Sequence, residues 1–488
     1  MAGSGDAALS TEPVSQPTHG ESKKQTVDPW NVQGEIAEDG TIKAIDYNKL
    51  VDEFGTKLIG QDLLERFEKV TGRKPHHFMR RGIVFSHREL ELILDRYEKG
   101  EPFFLYTGRG PSSDSMHIGH TIPFEFTKWL QDVFDVPLVI MMTDDEKFLF
   151  KDITIEDVQG YTRSNAKDII AIGFDPKKTF IFSDYEFMGG AFYRNVTRVS
   201  KCITFNAARA TFGFDESTNI GRVHFGAIQG ATAFASTFPH IFGSDEKVTN
   251  TIPCLIPCAI DQDPYFRLTR HVAQSLKFPK PSLIHSRFLD ALQGPGSKMS
   301  ASIDSSAIFM KDTEKSIKNK INKYAFSGGQ ETAEEQREKG ADTSKDVAYQ
   351  YLTFFLEDDD ELRDIEQKYA KGELLTGEVK AKCILELQKY VKGFQERRAQ
   401  VTDEVMREFM SPRPLEWKGN PRAPVVIPVV AESNTEIPGS GANSENQEMT
   451  QNQKKKLAKL KMIEEKKAAK AKEKAEKAAA TVVSSKEN

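Results

Sequence analysis

Two rhythms of apolar and polar residues alternate through the middle of this chain. Short apolar runs, Phe103–Tyr106, Val136–Met142, Thr179–Phe182, Cys254–Ala259 and Ser282–His285, have the length and composition of strands buried on both faces. Between them, Ile155–Ile172 and Pro264–Leu276 repeat apolar residues at helical spacing. Strands alternating with helices predict a doubly wound, Rossmann-type parallel sheet of α/β class. From about Tyr185 to Val248 the alternation stops, and Phe- and Ala-rich helical sequence reads as an insertion between the two halves. Ser86 is placed to cap a helix, with Glu89 three residues on and Leu90, Ile93 and Leu94 behind it.

Upstream, Trp30–Val32 and Glu35–Lys43, with a glycine turn at Gly40, predict a hairpin. Helical periodicity follows in Tyr47–Phe54 and Leu63–Val70. After about Thr313 the strand rhythm disappears, and Ile317–Tyr324, Val347–Phe355, Leu362–Tyr369 and Gly377–Phe409 predict an all-α domain. Pro412, Pro414, Pro421, Pro424 and Pro428 then mark an extended linker. The expected organisation is a disordered 1–26, an appended segment 27–85, and a sheet domain 86–312 with its insertion at about 185–248. A helical domain 313–416, a linker 417–450 and a Lys-rich tail 451–488 complete it.

At 488 residues the chain is long enough for two or three cores. No stretch approaches the ~18 apolar residues of a membrane span. The first two dozen residues are polar, without the apolar core of a secretory signal, so a cytoplasmic location is expected. Four cysteines suit a reducing compartment. Cys254 and Cys258 are four apart, but their run is apolar and no second Cys or His pair lies near, so they read as buried thiols and no resident metal is expected. The net charge of −5 hides an asymmetry: Lys454–Lys477 holds eleven lysines against four glutamates, so that stretch is +7 and the remainder −12. A polyanion would be attracted locally, by the tail, rather than by the whole molecule.

Two segments carry the chemistry. His117-Ile118-Gly119-His120 follows an apolar strand and the turn Thr107–Pro111, and opens a helical pattern reaching about Phe134. A strand, a glycine turn and a helix N-terminus make a seat for a triphosphate on backbone N–H groups. Lys298-Met299-Ser300-Ala301-Ser302 adds a lysine and two hydroxyls, able to stabilise phosphates as charge shifts. Arg109 lies between Gly108 and Gly110, where a guanidinium fork suits a phosphate as well as a structural carboxylate.

These two segments resemble the paired signatures of class I aminoacyl-tRNA synthetases. Tyr106–Ser113, Thr143–Lys147, Ala259–Phe266, Val27–Trp30 and Ala325–Gly329 extend the likeness to the eukaryotic cytoplasmic tryptophanyl branch, over roughly residues 27–416. The resemblance implies activation of L-tryptophan with ATP–Mg2+ and transfer to tRNA(Trp) by a homodimer whose contacts lie in the insertion. It places ATP on Gly108, Arg109, Gly110, His117, Gly119 and His120, with Lys147, Lys298 and Met299, and gives catalytic roles to His117, His120, Lys298, Ser300 and Ser302. Tyr106 would accept from the indole N–H. Glu146 and Gln229 would hold the ammonium, and Gln262 the carboxylate or ammonium. Phe326 and Gln330 would meet the anticodon, a base stacking on the aromatic ring. The bland readings stay open beside these: Tyr106 as a core aromatic, Phe326 as part of a helix-capping turn, the tail as a solvated charged helix.

Two departures qualify the resemblance. Met141 stands where a polar side chain able to meet the indole often occurs, and Ala301 where the class often has a second lysine, leaving Lys298 as that motif's cation. The competing readings are a tyrosine–tRNA ligase, a tRNA-independent nucleotidyltransferase, and a binding protein that has lost catalysis. The Asp261–Phe266 run favours tryptophan, the helical domain argues against the nucleotidyltransferase, and intact His117, His120 and Lys298 argue against the binding protein.

Overall fold

The computed structural model describes residues 23–38, 42–296, 299–300 and 303–416. The expectations for 1–22, for the linker and for the tail lie outside those residues, as do Gly40, Lys298 and Ser302.

Nine strands are present among the described residues: β1 (Thr26–Val27), β2 (Val32–Gln33), β3 (Lys57–Leu58), β4 (Val84–Arg88), β5 (Phe104–Arg109), β6 (Leu138–Met142), β7 (Thr179–Ser183), β8 (Cys254–Ala259) and β9 (Ser282–Ser286). The main sheet runs β3-β4-β9-β8-β5-β6-β7. Its five strands β5 to β9 are parallel, as the apolar runs predict. Within them side chains alternate between two cores: Leu105, Ile140, Met142 and Ile181 face one, and Tyr106, Val139, Met141 and Phe182 the other. The first core continues into the C-terminal helices, and the second is closed by the insertion. Cys254 and Cys258 lie on the second face, buried and free of disulfides. Burial pushes both thiols up, so they stay protonated.

Three expectations change. Ser86 does not cap a helix. It lies inside β4, which pairs antiparallel with β9, and the helix begins at Leu90. Val84 and Phe85, both buried, carry the strand past the polar Ser86, whose hydroxyl is 3.0 Å from His285 Nδ1. His285 Nε2 in turn lies 3.1 Å from Asp263, which Arg88 grips at 2.7 Å. This serine–histidine–aspartate row has no solvent-exposed member. It is a buried polar network, not a hydrolytic site. The sheet is therefore extended by two antiparallel strands, and the boundary drawn at 85/86 falls within one of them.

The stretch Gly377–Phe409 is two helices, Thr376–Ala399 and Asp403–Met410. Val401 and Thr402 lose side-chain freedom in a helix, and the Thr402 hydroxyl caps the second one by accepting from Val405 N. Near the N-terminus the tight turn is at Asp28–Asn31, between β1 and β2, with Asp28 accepting from the Trp30 and Asn31 amides. Ile36 also bridges Ile42 antiparallel, and Lys43 N donates to Glu35 O at 2.8 Å, pairing the two ends of the expected hairpin.

Candidate active site

In sequence order β5, β6 and β7 step one way across the sheet, while β8 and β9 lie on the other side of β5. The winding reverses between β5 and β8, and ligands bind beyond the carboxyl ends of strands at such a reversal. Here Thr107 on β5 donates to the Pro257 carbonyl on β8 across 3.1 Å. Above that bond opens a cavity of about 1080 Å³. Its wall includes Tyr106, Gly108, Arg109 and Gly110 from the end of β5, and His117, Gly119 and His120 from the helix that follows. Glu146, Lys147, Gln229, Gln262, Met299 and Ser300 also line it. The described residues expected to bind ATP and tryptophan therefore share one space. Phe326 and Gln330 are elsewhere, in the helical region.

The first signature opens the helix Ile118–Phe134, with His117 as its N-cap. The His117 backbone N–H donates to His120 Nδ1 at 3.4 Å, which puts the neutral ring's proton on Nε2. The two rings stack, centroids 3.4 Å apart. Pro123, inside the helix and on the cavity wall, offers no N–H to the Gly119 carbonyl one turn before it. A side chain at Gly119 would crowd its neighbours: a Cβ there would lie 3.0 Å from Met299 Sδ and 3.2 Å from His117 Nδ1. The two signatures thus meet. Backbone pairing fixes the meeting, Ile118 N to Ile308 O at 2.9 Å and Met310 N to Met116 O at 2.9 Å. Ser300 is held by Ser306, whose Oγ accepts from its amide and donates to its carbonyl, each at 3.0 Å.

Arg109 ends β5 half-buried, its Nε donating to Asn165 at 3.1 Å. Among the described residues no acceptor meets one of its terminal nitrogens. Burial pulls this guanidinium down to about 10, with Asp168 and Glu146 holding it up. A half-buried cation with an unspent donor on a cavity wall is arranged for an anion. Gly110 leaves space for Lys147, whose Cε would lie 1.9 Å from a Cβ at that position. Lys147 Nζ pairs with Glu146 at 2.9 Å, and Thr143 donates to the same carboxylate at 2.8 Å.

Behind Glu146 three buried carboxyls, Asp144, Asp145 and Asp184, bring oxygens within 4.8 Å of one another. They begin the short helices after β6 and β7, and none lines the cavity. Asp144 is satisfied by the Ser183 hydroxyl and the Tyr185 amide. Burial pushes Asp184 far up, with Asp145 beside it adding to the rise, and burial also lifts Asp145 to about 6. Sequence reasoning missed this group, and missed Asn165 and Asp168, which stand behind Arg109. It quoted Trp30 only as part of a motif. In the fold Trp30 reaches the cavity and stacks on Phe150, centroids 5.2 Å apart.

The model of the family described as tRNA synthetases class I (W and Y) matches residues 98–392. The chain belongs to this family. Two relatives of this class I synthetase are the cytoplasmic tryptophan–tRNA ligases of Saccharomyces cerevisiae and Homo sapiens. The first is 60% identical over 408 residues, covering 83% of this chain and 94% of the relative. The second is 54% identical over 399 residues, covering 81% and 83%. Among solved structures, the tryptophanyl-tRNA synthetase from Encephalitozoon cuniculi bound to tryptophan superposes with TM-score 0.70 at 46% identity, over 76% of this chain and 98% of that one. The Giardia lamblia tryptophanyl-tRNA synthetase gives 0.71 at 44%, over 75% and 95%.

Proposed function

We propose that this cavity binds tryptophan and ATP together, as the site of a cytoplasmic tryptophan–tRNA ligase. The chain has that activity on the strength of relatives 54–60% identical over four fifths of its length. The assignment of individual residues is our own reading. It is carried by one observation: the phosphate-suited Arg109, His117 and His120 share a wall with Tyr106, Glu146, Gln229 and Gln262.

The tryptophan carboxylate, already ionised, attacks the α-phosphorus of ATP. A carboxylate oxygen–phosphorus bond forms, the bond to the β-phosphate bridge breaks, and pyrophosphate leaves. No general base is required, so catalysis is positioning and charge stabilisation. His120 donates from its ring N–H and Arg109 from its spare N–H, while Lys298 is assigned to neutralise the leaving group and Ser300 and Ser302 to orient the loop or bond phosphate oxygens. Magnesium enters with ATP as part of the substrate, screening the phosphates. Glu146 and Gln229 take the ammonium, Gln262 the carboxylate or ammonium end, and Tyr106 the indole N–H. A tRNA 3′-terminal hydroxyl then attacks the adenylate carbonyl, releasing AMP, while Phe326 and Gln330 meet the anticodon.

We further propose a homodimer through the insertion, where Tyr193, Phe205 and Ile220 leave 55%, 50% and 83% of their surface exposed. Sedimentation velocity checks this, and a single monomeric boundary at micromolar protein would reject it. The activity is tested by ATP–pyrophosphate exchange against all twenty amino acids. Strong exchange is expected with tryptophan, and exchange with tyrosine alone would overturn the assignment.

A further inference from the structure

The tryptophan end of the cavity contains a proton arrangement that the residue types alone do not reveal. Tyr106 is 1% exposed, its ring edge-on to Phe266 with centroids 5.8 Å apart. On the neighbouring strand Met141 lies diagonally across, since Tyr106 is in register with Val139 and Gly108 with Met141. The Tyr106 hydroxyl donates to Met141 Sδ at 3.3 Å. Thr232, which ends the helix Ile220–Ala231, brings its hydroxyl to the same sulfur at 3.4 Å. A thioether carries no proton and can only accept. Tyr106 lines the cavity, whereas Met141 and Thr232 stand behind it.

We propose that Met141 is a specificity-determining positioning residue: its sulfur accepts the Tyr106 O–H, so that the phenol oxygen faces the cavity as an acceptor and selects an aromatic ligand bearing a ring N–H. This rests on the reading of Tyr106 as the indole's partner. Burial pushes the Tyr106 phenol well above its usual value, so it keeps its single proton. With that O–H directed at sulfur, lone pairs are what the oxygen can present elsewhere. An indole N–H is satisfied by them. A ring of the same shape carrying sulfur or oxygen in place of N–H meets lone pair with lone pair. Methionine therefore does not replace a direct polar contact to the indole; it sets the polarity of the contact that Tyr106 makes.

Thioether sulfur is a soft, weak acceptor, so the effect belongs in the range of one ordinary hydrogen bond, about fivefold to tenfold. The test uses the full-length protein in pyrophosphate exchange, comparing kcat/KM for L-tryptophan with that for β-(benzothiophen-3-yl)-L-alanine. Wild type, Met141→Leu and Tyr106→Phe are measured side by side. Leucine conserves volume and removes the acceptor. The ratio of the two substrates does not depend on how much protein is folded, because both report on the same active population.

We expect a large ratio in wild type, a collapsed ratio in Tyr106→Phe, and a ratio lowered about fivefold to tenfold in Met141→Leu, chiefly because the analogue improves. A merely structural Met141 would move both substrates together and leave the ratio unchanged. A wild-type ratio in Met141→Leu with a collapsed one in Tyr106→Phe overturns the role of Met141 and leaves Tyr106 standing. Wild-type ratios in both variants overturn Tyr106 itself.

Discussion

Asp145 illustrates how this site holds charge at a cost to stability. Its carboxylate accepts the Glu146 amide at 2.7 Å, which fixes the start of the helix carrying Glu146. It is nevertheless buried, and burial lifts it to about 6, against about 4 in an unfolded chain. A carboxyl raised on folding favours the folded state while both states hold the proton. That advantage is lost as pH rises from about 4 through 6. At pH 7.5 the folded protein bears the full cost of the charge. Asp145→Asn keeps the acceptor oxygen and removes the charge. We expect it to be more stable than wild type at pH 7.5 by about 1–2 kcal/mol, with the difference fading at pH 4.5. Urea unfolding at the two pH values measures it, and equal stability at pH 7.5 would sink the argument. The expected accompaniment is a higher KM for tryptophan, because the ammonium loses a neighbouring negative charge.

Among elements, the helix Thr376–Ala399 does most to join the two halves of the described chain. Its 24 residues span ~36 Å. At one end Thr376 donates to Gln336 at 3.0 Å, within the helical region holding Phe326 and Gln330. Farther along, Tyr390 bonds Thr121 and Glu125 on the first-signature helix at 2.7 and 2.9 Å. At the other end Arg398 grips Asp168 at 2.7 Å, and Asp168 also accepts the Met116 amide at 3.4 Å, one residue before His117. Arg398→Ala would leave Asp168 with Arg109 as its main counter-charge and draw that guanidinium from the cavity. We expect KM for ATP to rise about tenfold with a smaller change in KM for tryptophan, alongside a stability loss of about 3 kcal/mol. Equal rises for both substrates in pyrophosphate exchange would show a general loosening instead. This coupling was not legible in the sequence, because Asp168 and Arg398 are 230 residues apart in unremarkable helical patterns. The parallel strands were legible, since each is a continuous apolar run. Ser86 misled because a polar residue before an apolar periodicity looks the same inside a strand as in a cap. Val401 and Thr402 broke a helix whose amphipathic pattern runs through them. At the site, Tyr106, Arg109 and the first signature could be found because strand, turn and helix N-terminus are contiguous. The carboxyls behind Glu146 could not, because they meet only when β6 and β7 pair.

For the whole molecule, charge distribution sets a problem that local structure does not solve. Outside Lys454–Lys477 the chain carries −12, which opposes any approach of tRNA at long range. The +7 of that tail, which lies outside the described residues, gives the chain a local attraction for a polyanion. Phosphate contacts made by such lysines release counterions, so their contribution falls steeply as salt rises. Contacts within a shaped anticodon site depend less on salt, because stacking and base-edge hydrogen bonds carry them. Truncation before Gln451 should therefore lower the slope of log affinity against log salt by roughly 2 to 4, if about half the tail charges engage phosphates. Affinity for tRNA would drop most near 50 mM salt and converge with wild type at several hundred millimolar. Pyrophosphate exchange should be unchanged, since the cavity we assign to ATP and tryptophan is lined by residues of the described chain before Gln451. Filter binding across a salt series measures the slope. Identical slopes with and without the tail would mean that its lysines stay solvated in the complex, and that residues of the acidic body make the phosphate contacts unaided.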